Sequence, residues 1–412
     1  MKCICLILML YLHSVLLIAR TIKKKYKTGE IRLVYNVVKG KREGSYEKFY
    51  INGKHEIKSN YKKGHLHGKF ERFNNKGELI SLKNYVDGKI NGEVIEYIDH
   101  KIVKKELWIN GISAFPKSKN AIKKTFEEIK KLPVKFIGQW PKTSLPEARF
   151  TESVKKANKE GLTALRYYRY LAGVPYKELA VNRNYIAKTV AATDICQKIG
   201  GITHNPTNPG LPKKEFNFCR EGTSKSNLFA SDWRMSTTFA VQNFMFDTDA
   251  RNLHIMGHRR WCLNPTMGST GFSTTKKFSA MYAVDLRGSK KLDFDYIAWP
   301  AKGYMPLSSF GKKYAWTLSL NPKKYYKTSA TNTKVNIYEV DDEYNIAEKP
   351  IQMKSYTVNN EYVGMNSSCL IFLPKDLKYE DGATYCVRIT RLKAKKRYPR
   401  SIEYFVSFYS MN

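Results

Sequence analysis

Two histidines far apart in the sequence are the side chains best suited to chemistry. His204 lies in a His-Asn-Pro triplet, and His258 lies in the segment from Gly257 to Pro265. Asp247 precedes that segment by a short distance. Two neutral imidazoles and one carboxylate can hold Zn²⁺ and leave a fourth position for water, as in hydrolytic sites. The alternative is structural, because such histidines also bridge a cleft or cap loop backbone.

Helices and a strand must position these histidines. Apolar spacing predicts helices over 152–172, 184–199 and 236–246, a shorter helix over 121–131, and a strand over 278–286. His204 then falls in the polar loop after the second long helix. His254 and His258 would share a helical face, but Gly257 between them is expected to interrupt a helix.

Five motifs in this region resemble those of the CAP superfamily, which includes cysteine-rich secretory proteins, insect venom antigen 5 and plant pathogenesis-related proteins of class one. The motifs occupy residues 165–175, 204–206, 226–228, 247–252 and 257–265. The resemblance implies an α-β-α sandwich, an extracellular location and a surface cleft. The cleft and ligand-binding residues it implies are His204, Ser226, Asn227, Asp247, Asn252 and His258.

The resemblance fails at one expected carboxylate. Members of the family often carry Gly-Glu-Asn where this chain has Lys225-Ser226-Asn227, so Ser226 replaces an acid. With His204, His258 and Asp247 as the remaining metal ligands, Zn²⁺ or another divalent cation is expected to bind weakly or not at all. Ser226 also lacks the Gly-x-Ser-x-Gly turn of a serine hydrolase.

The pair Arg259 and Arg260, followed by Trp261, allows two interpretations. The arginines and the indole could contact an anionic headgroup through hydrogen bonds and cation-π stacking. The favoured interpretation places Trp261 in the core and pairs the arginines with a buried acid.

Glycines recur every 24 residues in the N-terminal part of the chain, in three series. A fixed step of this kind is an internal repeat, and glycine supplies the positive φ that tight hairpin turns need. The repeats predict stacked β-hairpins with a narrow aromatic core, and they resemble MORN-type repeats, which have been linked to lipid headgroups and to scaffolding. A stable basic spacer is the alternative. The series are Gly29, Gly53, Gly77; Gly40, Gly64, Gly88; and Gly44, Gly68, Gly92.

Six short β-rich runs separated by turn residues follow position 301, and they predict a β-sandwich of the immunoglobulin-like kind. In 385–390, Tyr385, Val387 and Ile389 are expected to face inwards and Cys386 outwards. A disulfide between Cys386 and Cys369 would account for an outward cysteine on an exported strand.

Composition and the N-terminus indicate an exported, basic protein. The chain has 412 residues and a net charge of +36, which attracts polyanions, although lysines spread over a solvated surface explain the same excess. An anionic surface or a glycan is the expected partner of the basic repeats, and no nucleic-acid signature is found. Residues 1–19 fit a secretory signal, with a retained anchor as the alternative, so the chain is expected to be secreted or held at the cell surface.

The sequence therefore predicts an α+β multidomain protein: a signal over 1–19, a β-hairpin repeat array over 20–114, a linker with a short helix over 115–144, a CAP-like domain over 145–300 and an all-β sandwich over 301–412. Its expected function is extracellular binding of a lipid, a sterol or another small apolar ligand, with the array and the β-sandwich mediating attachment. A metal-dependent peptidase or esterase using His204, His258 and Asp247 is one alternative, and a purely structural surface adhesin is the other.

Overall fold

The structure, a computed structural model, describes residues 19–143, 145–233, 235–249, 252–285, 287–288, 294–364 and 367–411. The predicted signal segment lies outside the described residues except for Ala19. The fold is mixed α+β, and the chain divides into two compact units, Met1–Ala114 and Phe115–Asn412. Among the described residues, no helix is both long and apolar enough to cross a membrane.

The first unit contains one antiparallel sheet of ten strands. Consecutive strands pair along the sheet, except that β7 pairs only with β6, and β8 follows β6 in the order. The strands are β1 (Arg20–Lys25), β2 (Ile31–Val38), β3 (Lys41–Phe49), β4 (His55–Lys62), β5 (His65–Phe73), β6 (Leu79–Val86), β7 (Lys89–Ile90), β8 (Gly92–Ile98), β9 (Lys101–Ile109) and β10 (Ile112–Ser113).

The glycine repeat has the expected backbone role. All nine glycines of the three series have positive φ, between 74° and 109°. Tyrosines one repeat apart also tie neighbouring hairpins together: the hydroxyl of Tyr26 donates to the Phe49 carbonyl at 2.8 Å, and that of Tyr50 donates to the Phe73 carbonyl at 2.9 Å. The unit is therefore a large antiparallel sheet with positive-φ glycines at regular steps, and one series, Gly44, Gly68 and Gly92, lies on strands β3, β5 and β8 and not in turns.

The second unit contains six helices. They are α1 (Lys119–Lys131), α2 (Glu152–Leu171), α3 (Arg183–Ile199), α4 (Lys213–Ser224), α5 (Thr237–Phe246) and α6 (Gly257–Cys262). The four predicted helices lie within two residues of these bounds. Side-chain caps at Ser118, Thr151, Asn182 and Ser236 fix the starts of α1, α2, α3 and α5, as the sequence leads one to expect. The sequence did not predict α4 or α6.

Fourteen strands complete the second unit and form four sheets, in the orders β11-β12-β14, β13-β16-β15, β17-β19-β22-β21 and β18-β24-β23-β20. The strands are β11 (Phe136–Ile137), β12 (Ala180–Asn182), β13 (Ser226–Ala230), β14 (Ser269–Thr270), β15 (Phe272–Thr274), β16 (Phe278–Tyr282), β17 (Tyr296–Trp299), β18 (Gly303–Pro306), β19 (Trp316–Leu320), β20 (Lys334–Val340), β21 (Met353–Asn359), β22 (Cys369–Pro374), β23 (Thr384–Thr390) and β24 (Ile402–Tyr409).

Helices cover both faces of the sheet β13-β16-β15. A Cβ on Gly161 of α2 would lie 2.8 Å from the Phe272 ring, so α2 packs against that side chain. Thr193 of α3 bonds the hydroxyl of Ser273 at 2.9 Å. Phe272 and Ser273 are neighbours on β15, and successive side chains of a strand point to opposite faces. The sheet is therefore the middle layer between α2 and α3.

The two four-stranded sheets pack face to face near the C-terminus. Trp316 of β19 contacts Tyr385 of β23 and Phe408 of β24, with ring centroids 6.2 Å and 6.1 Å apart. One hydrophobic core joins these sheets to the helices, because the same cluster of buried side chains extends from Ile122 to Tyr409. Residues 115–144, 145–300 and 301–412 thus contribute to a single compact unit.

The predicted disulfide is not formed. Cys369 lies on β22 and Cys386 on β23, which belong to different sheets, and all five described cysteines are free and buried. The prediction that Cys386 faces outwards was wrong, because its side chain is 0 % exposed beneath its cross-strand neighbours Tyr338 and Phe405. Burial raises the pKa of the Cys386 thiol to about 12, so packing suffices to explain this residue.

Candidate functional site

A cavity of about 240 Å³ brings the two predicted histidines together. His204 enters it from the loop after α3, and His258 enters it from the first turn of α6. We call this cavity the histidine cleft. It is lined by Ile202, Thr203, His204, Leu228, Asp249, Asn252 and His258.

Asp247 orients His258. Its Oδ1 lies 3.0 Å from Nδ1 of His258, and its Oδ2 accepts the backbone N–H of Arg259 at 3.2 Å. The side chain of Asp247 is 0 % exposed. A carboxylate only accepts, so the imidazole holds its proton on Nδ1 and keeps the lone pair of Nε2 available.

A backbone carbonyl orients His204 in the same way. Nδ1 of His204 lies 2.8 Å from the carbonyl oxygen of Thr223, and the Thr223 hydroxyl donates back to the His204 carbonyl at 3.2 Å. Because the Thr223 carbonyl can only accept, Nδ1 of His204 carries the proton. Both imidazoles therefore have a fixed tautomer with a basic Nε2, the arrangement that outer hydrogen bonds impose on metal-binding histidines.

The segment between α5 and α6 is held by two residues in the left-handed region. Asp247 ends α5 with φ 52°, and Met256 precedes α6 with φ 53°. Non-glycine residues at positive φ are uncommon, and a bulky buried residue such as Met256, 0 % exposed, adopts it only when its surroundings require it. The backbone here is shaped to place Asp247 and His258 side by side. His254 precedes Gly257, where α6 begins, so it does not share a helical face with His258.

Of the other predicted site residues, Asn252 lines the histidine cleft, whereas Asn227 and Ser226 do not. Asn252 lines the histidine cleft, and its Nδ2 lies 3.5 Å from Nδ1 of His258. Asn227 lies behind the cleft, where its amide donates to the His258 carbonyl at 3.1 Å and so positions α6. Ser226 is 3 % exposed on β13, and its hydroxyl has no hydrogen-bond partner among the residues that the structure describes. Ser226 is not among the side chains that line the cleft.

The donor set suits a metal only in part. Nε2 of His204 and Nε2 of His258 are available, whereas both oxygens of Asp247 already bond to His258 and Arg259. Within the described parts of the chain, no group of three or more His, Cys, Asp or Glu side chains could hold a metal ion. The cleft thus offers two imidazoles and lacks the third protein ligand of a hydrolytic zinc centre among the described residues.

Arg259 and Arg260 bind backbone and amide oxygens, not a buried acid. Arg259, 1 % exposed, donates to the carbonyls of Met245 and Phe246 at 2.7 and 2.9 Å and to that of Ala315 at 2.6 Å. Burial lowers the pKa of its guanidinium to about 10, although Asp247 opposes that shift.

Arg260 extends the same connection. It donates to the side chain of Asn359 at 2.6 Å and to the carbonyl of Glu361 at 2.9 Å. Trp261 is half-buried and packs against the core. The segment 257–262 therefore joins the histidine cleft to β19 and to the chain after β21, and the expectation of an arginine–acid pair was wrong.

A second cavity, of about 450 Å³, lies between α3, α4 and the chain near Leu145. We call it the helix groove. Ala191, Ile195, Leu211 and Phe218 supply apolar surface, and Arg149 and Lys198 line it as well. Arg149 donates to both carboxylate oxygens of Asp194 at 2.9 Å, while Lys198 forms no salt bridge with any described residue. Sequence reasoning missed this groove because α4 was not predicted, although Pro212 before an amphipathic run was the available signal.

No family model, no curated protein and no solved structure matches this chain. The candidate function consequently depends on the residues themselves and on the geometry of the two cavities.

Proposed function

We propose that the chain is an exported, CAP-like binding protein that holds an amphipathic apolar ligand, such as a fatty acid, in the helix groove. The order of the five motifs, the helices on both faces of a central sheet and the two converging histidines support the CAP-like assignment. The N-terminal segment 1–19 supports export to the cell surface or beyond it.

The helix groove is the observation that carries the proposed ligand. Its volume of about 450 Å³ lies in the range of small-molecule sites, which are mostly apolar with a few charged groups that fix orientation. Leu145, Leu211 and Phe218, which are all half-buried, would contact a hydrocarbon chain, and Lys198 would pair with a carboxylate. Glu215 lines the same groove and would oppose an anion.

A titration of the full chain with palmitate, followed by native mass spectrometry, tests this proposal. Leu211→Trp, at a half-buried position of the lining, should fill the groove and abolish the 1:1 complex, whereas Ser153→Trp, on an exposed turn of α2 outside the groove, should leave it intact. Lys198→Gln should weaken binding and Glu215→Gln should strengthen it. Equal binding by all four variants, or none by the unmodified chain across fatty acids and sterols, would remove the basis for the proposal.

The anchored imidazoles favour a second candidate, weak binding of Zn²⁺ in the histidine cleft. His204 and His258 would be the ligands, with water completing the coordination, and Asp247 would hold His258 in position. The bound ion would supply Lewis acidity, but a hydrolase is not favoured because Asp247 is already engaged. Calorimetry with ZnCl₂ should show binding that His204→Ala or His258→Ala abolishes; a signal unchanged in both variants would contradict this assignment.

The array and the C-terminal β-sandwich are proposed to mediate attachment to a surface or a partner. The alternative of a structural adhesin would be favoured by a full chain that adheres to cells while both cavities bind nothing. The repeat sheet of the first unit also has a groove of its own, on one face.

A further inference from the structure

One face of the repeat sheet alternates aromatic rings with cations. Residues paired across antiparallel strands share a face, and the register pairs Phe70 of β5 with Lys83 of β6 and Gly68 with Tyr85. Arg72, two residues beyond Phe70, lies on the same face. These side chains line a groove of about 320 Å³.

The groove is open above its rings. The Phe70 and Tyr85 rings meet edge to face with centroids 5.8 Å apart, and both are half-buried. The residue opposite Tyr85 is Gly68, where an added Cβ would meet nothing within 4 Å. The ring of Tyr85 therefore has open space beside it, as a flat ligand requires.

The cations in the groove are available to a ligand. Arg72 is exposed and Lys83 is half-buried, and neither forms a hydrogen bond or ion pair through its side chain with a described residue. Their charges flank the two rings. Glu96 also lines the groove, but it is one acid against two cations. The groove therefore favours an anion next to an apolar surface.

The preceding repeat presents an equivalent pair of rings with different cations, because Lys48 at the position of Arg72 is ion-paired with Glu56 and Ser59 replaces Lys83. Gly44 is paired with Tyr61, and the rings of Tyr46 and Tyr61 lie 5.4 Å apart. The guanidinium of Arg42 lies 5.2 Å from both ring centroids. Two strands of a sheet separate equivalent residues, so the two subsites are roughly 9.5 Å apart. A ligand that carries a flat, partly apolar unit and an anion at regular intervals would occupy both.

We propose that this face binds an acidic polysaccharide, with sugar rings stacked on the tyrosine and phenylalanine rings and their carboxylates paired with Arg72, Lys83 and Arg42. The C–H faces of sugar rings pack on aromatic rings, and carboxylates form charge-assisted bonds to guanidinium and ammonium groups. Two weak subsites on one polymer reinforce each other through effective concentration. A lipid bilayer is less well matched, because Phe70 and Tyr85 are half-buried and leave little apolar surface to insert.

Calorimetry of the full chain with polygalacturonate, and with neutral dextran as the uncharged polymer, tests the proposal. The double variant Arg72→Ala/Lys83→Ala should lose affinity about tenfold or more. The matched control is Lys58→Ala/Lys69→Ala, which removes the same charge from the opposite face of strands β4 and β5 and should change affinity by less than about threefold.

Two single variants separate stacking from charge. Tyr85→Leu keeps the charge and should also weaken binding, whereas Glu96→Gln should strengthen it. Thermal unfolding of each variant would show that the array is intact. Equal losses in the two double variants would mean diffuse electrostatic attraction and would overturn the proposal. So would binding to phosphatidylglycerol vesicles without binding to the polymer, or equal affinity for dextran.

Discussion

Replacement of Arg259 by methionine should destabilise the second unit strongly. The guanidinium donates to three buried carbonyls, those of Met245, Phe246 and Ala315, at 2.6 to 2.9 Å. Leaving a buried polar group without a partner costs about 1–3 kcal/mol. Methionine has a similar length, so the loss comes from the unpaired carbonyls and not from a cavity.

Burial of the charge offsets part of that loss. The fall of the Arg259 pKa to about 10 corresponds to roughly 3 kcal/mol of desolvation relieved when the charge is removed. Three losses of about 1–3 kcal/mol each, less this offset, leave about 0–6 kcal/mol, and we expect the free energy of unfolding to fall by about 3 kcal/mol, the middle of that range. Because a whole domain is stable by only about 5–15 kcal/mol, this change is large.

Equilibrium urea unfolding, followed by the fluorescence of the buried Trp299 and Trp316, measures the change. Arg220→Met, on an exposed turn of α4, is the matched control and should shift stability by less than about 0.5 kcal/mol. Arg259→Lys keeps the charge with fewer donors and should be intermediate, which covers the case in which the methionine variant does not fold. A methionine variant within 1 kcal/mol of the control would refute the reasoning.

Three further predictions concern packing, acid sensitivity and thiols. Gly271→Ala should destabilise by about 1–3 kcal/mol or more in chemical unfolding, because its Cβ would lie 2.5 Å from α3 backbone, while Gly201→Ala, with nothing within 4 Å, should not. Burial raises the pKa of the Asp285 carboxyl, but hydrogen bonds from Arg287 and Ser269 more than offset burial, so the folded pKa is lowered. The stability that Asp285 contributes is therefore present above its unfolded pKa and is lost as the pH falls through its folded pKa. Asp285→Asn should reduce the loss of stability at acid pH, and an unchanged loss would contradict this. The five described thiols, all free and buried, should react with Ellman's reagent at pH 8 only after denaturation, and a count two lower under denaturing, non-reducing conditions would mean that a disulfide had formed.

The sequence was most informative where local patterns determine structure. The step of 24 residues predicted the hairpins because tight turns need a residue at positive φ, and the apolar spacing predicted α2 and α3. Convergence of His204 and His258 in one cavity was proposed from the motifs, and the structure places both side chains there.

Long-range packing limited what the sequence could indicate. Nothing local shows that Asp247 would bond to the imidazole of His258, or that Arg259 would reach the carbonyl of Ala315, just before β19. Strand alternation placed Cys386 on the face opposite to that of Tyr385, but it could not show that this face is covered, so the expected exposure of Cys386 was wrong. The helix groove needed α4, whose apolar pattern is weak.

Strand β24 and Met411 after it also determine when the second unit can fold. Tyr167 on α2 donates its hydroxyl to the sulfur of Met411 at 3.6 Å, across 244 residues of sequence. The strand just before Met411, β24, lies between β18 and β23 and supplies much of the shared core. At the usual pace of synthesis, α2 would wait roughly 10 to 50 s for this partner. Until β24 is made, the part of the shared core that it supplies is missing, so the unit should reach its native packing only after residue 409 has been synthesised.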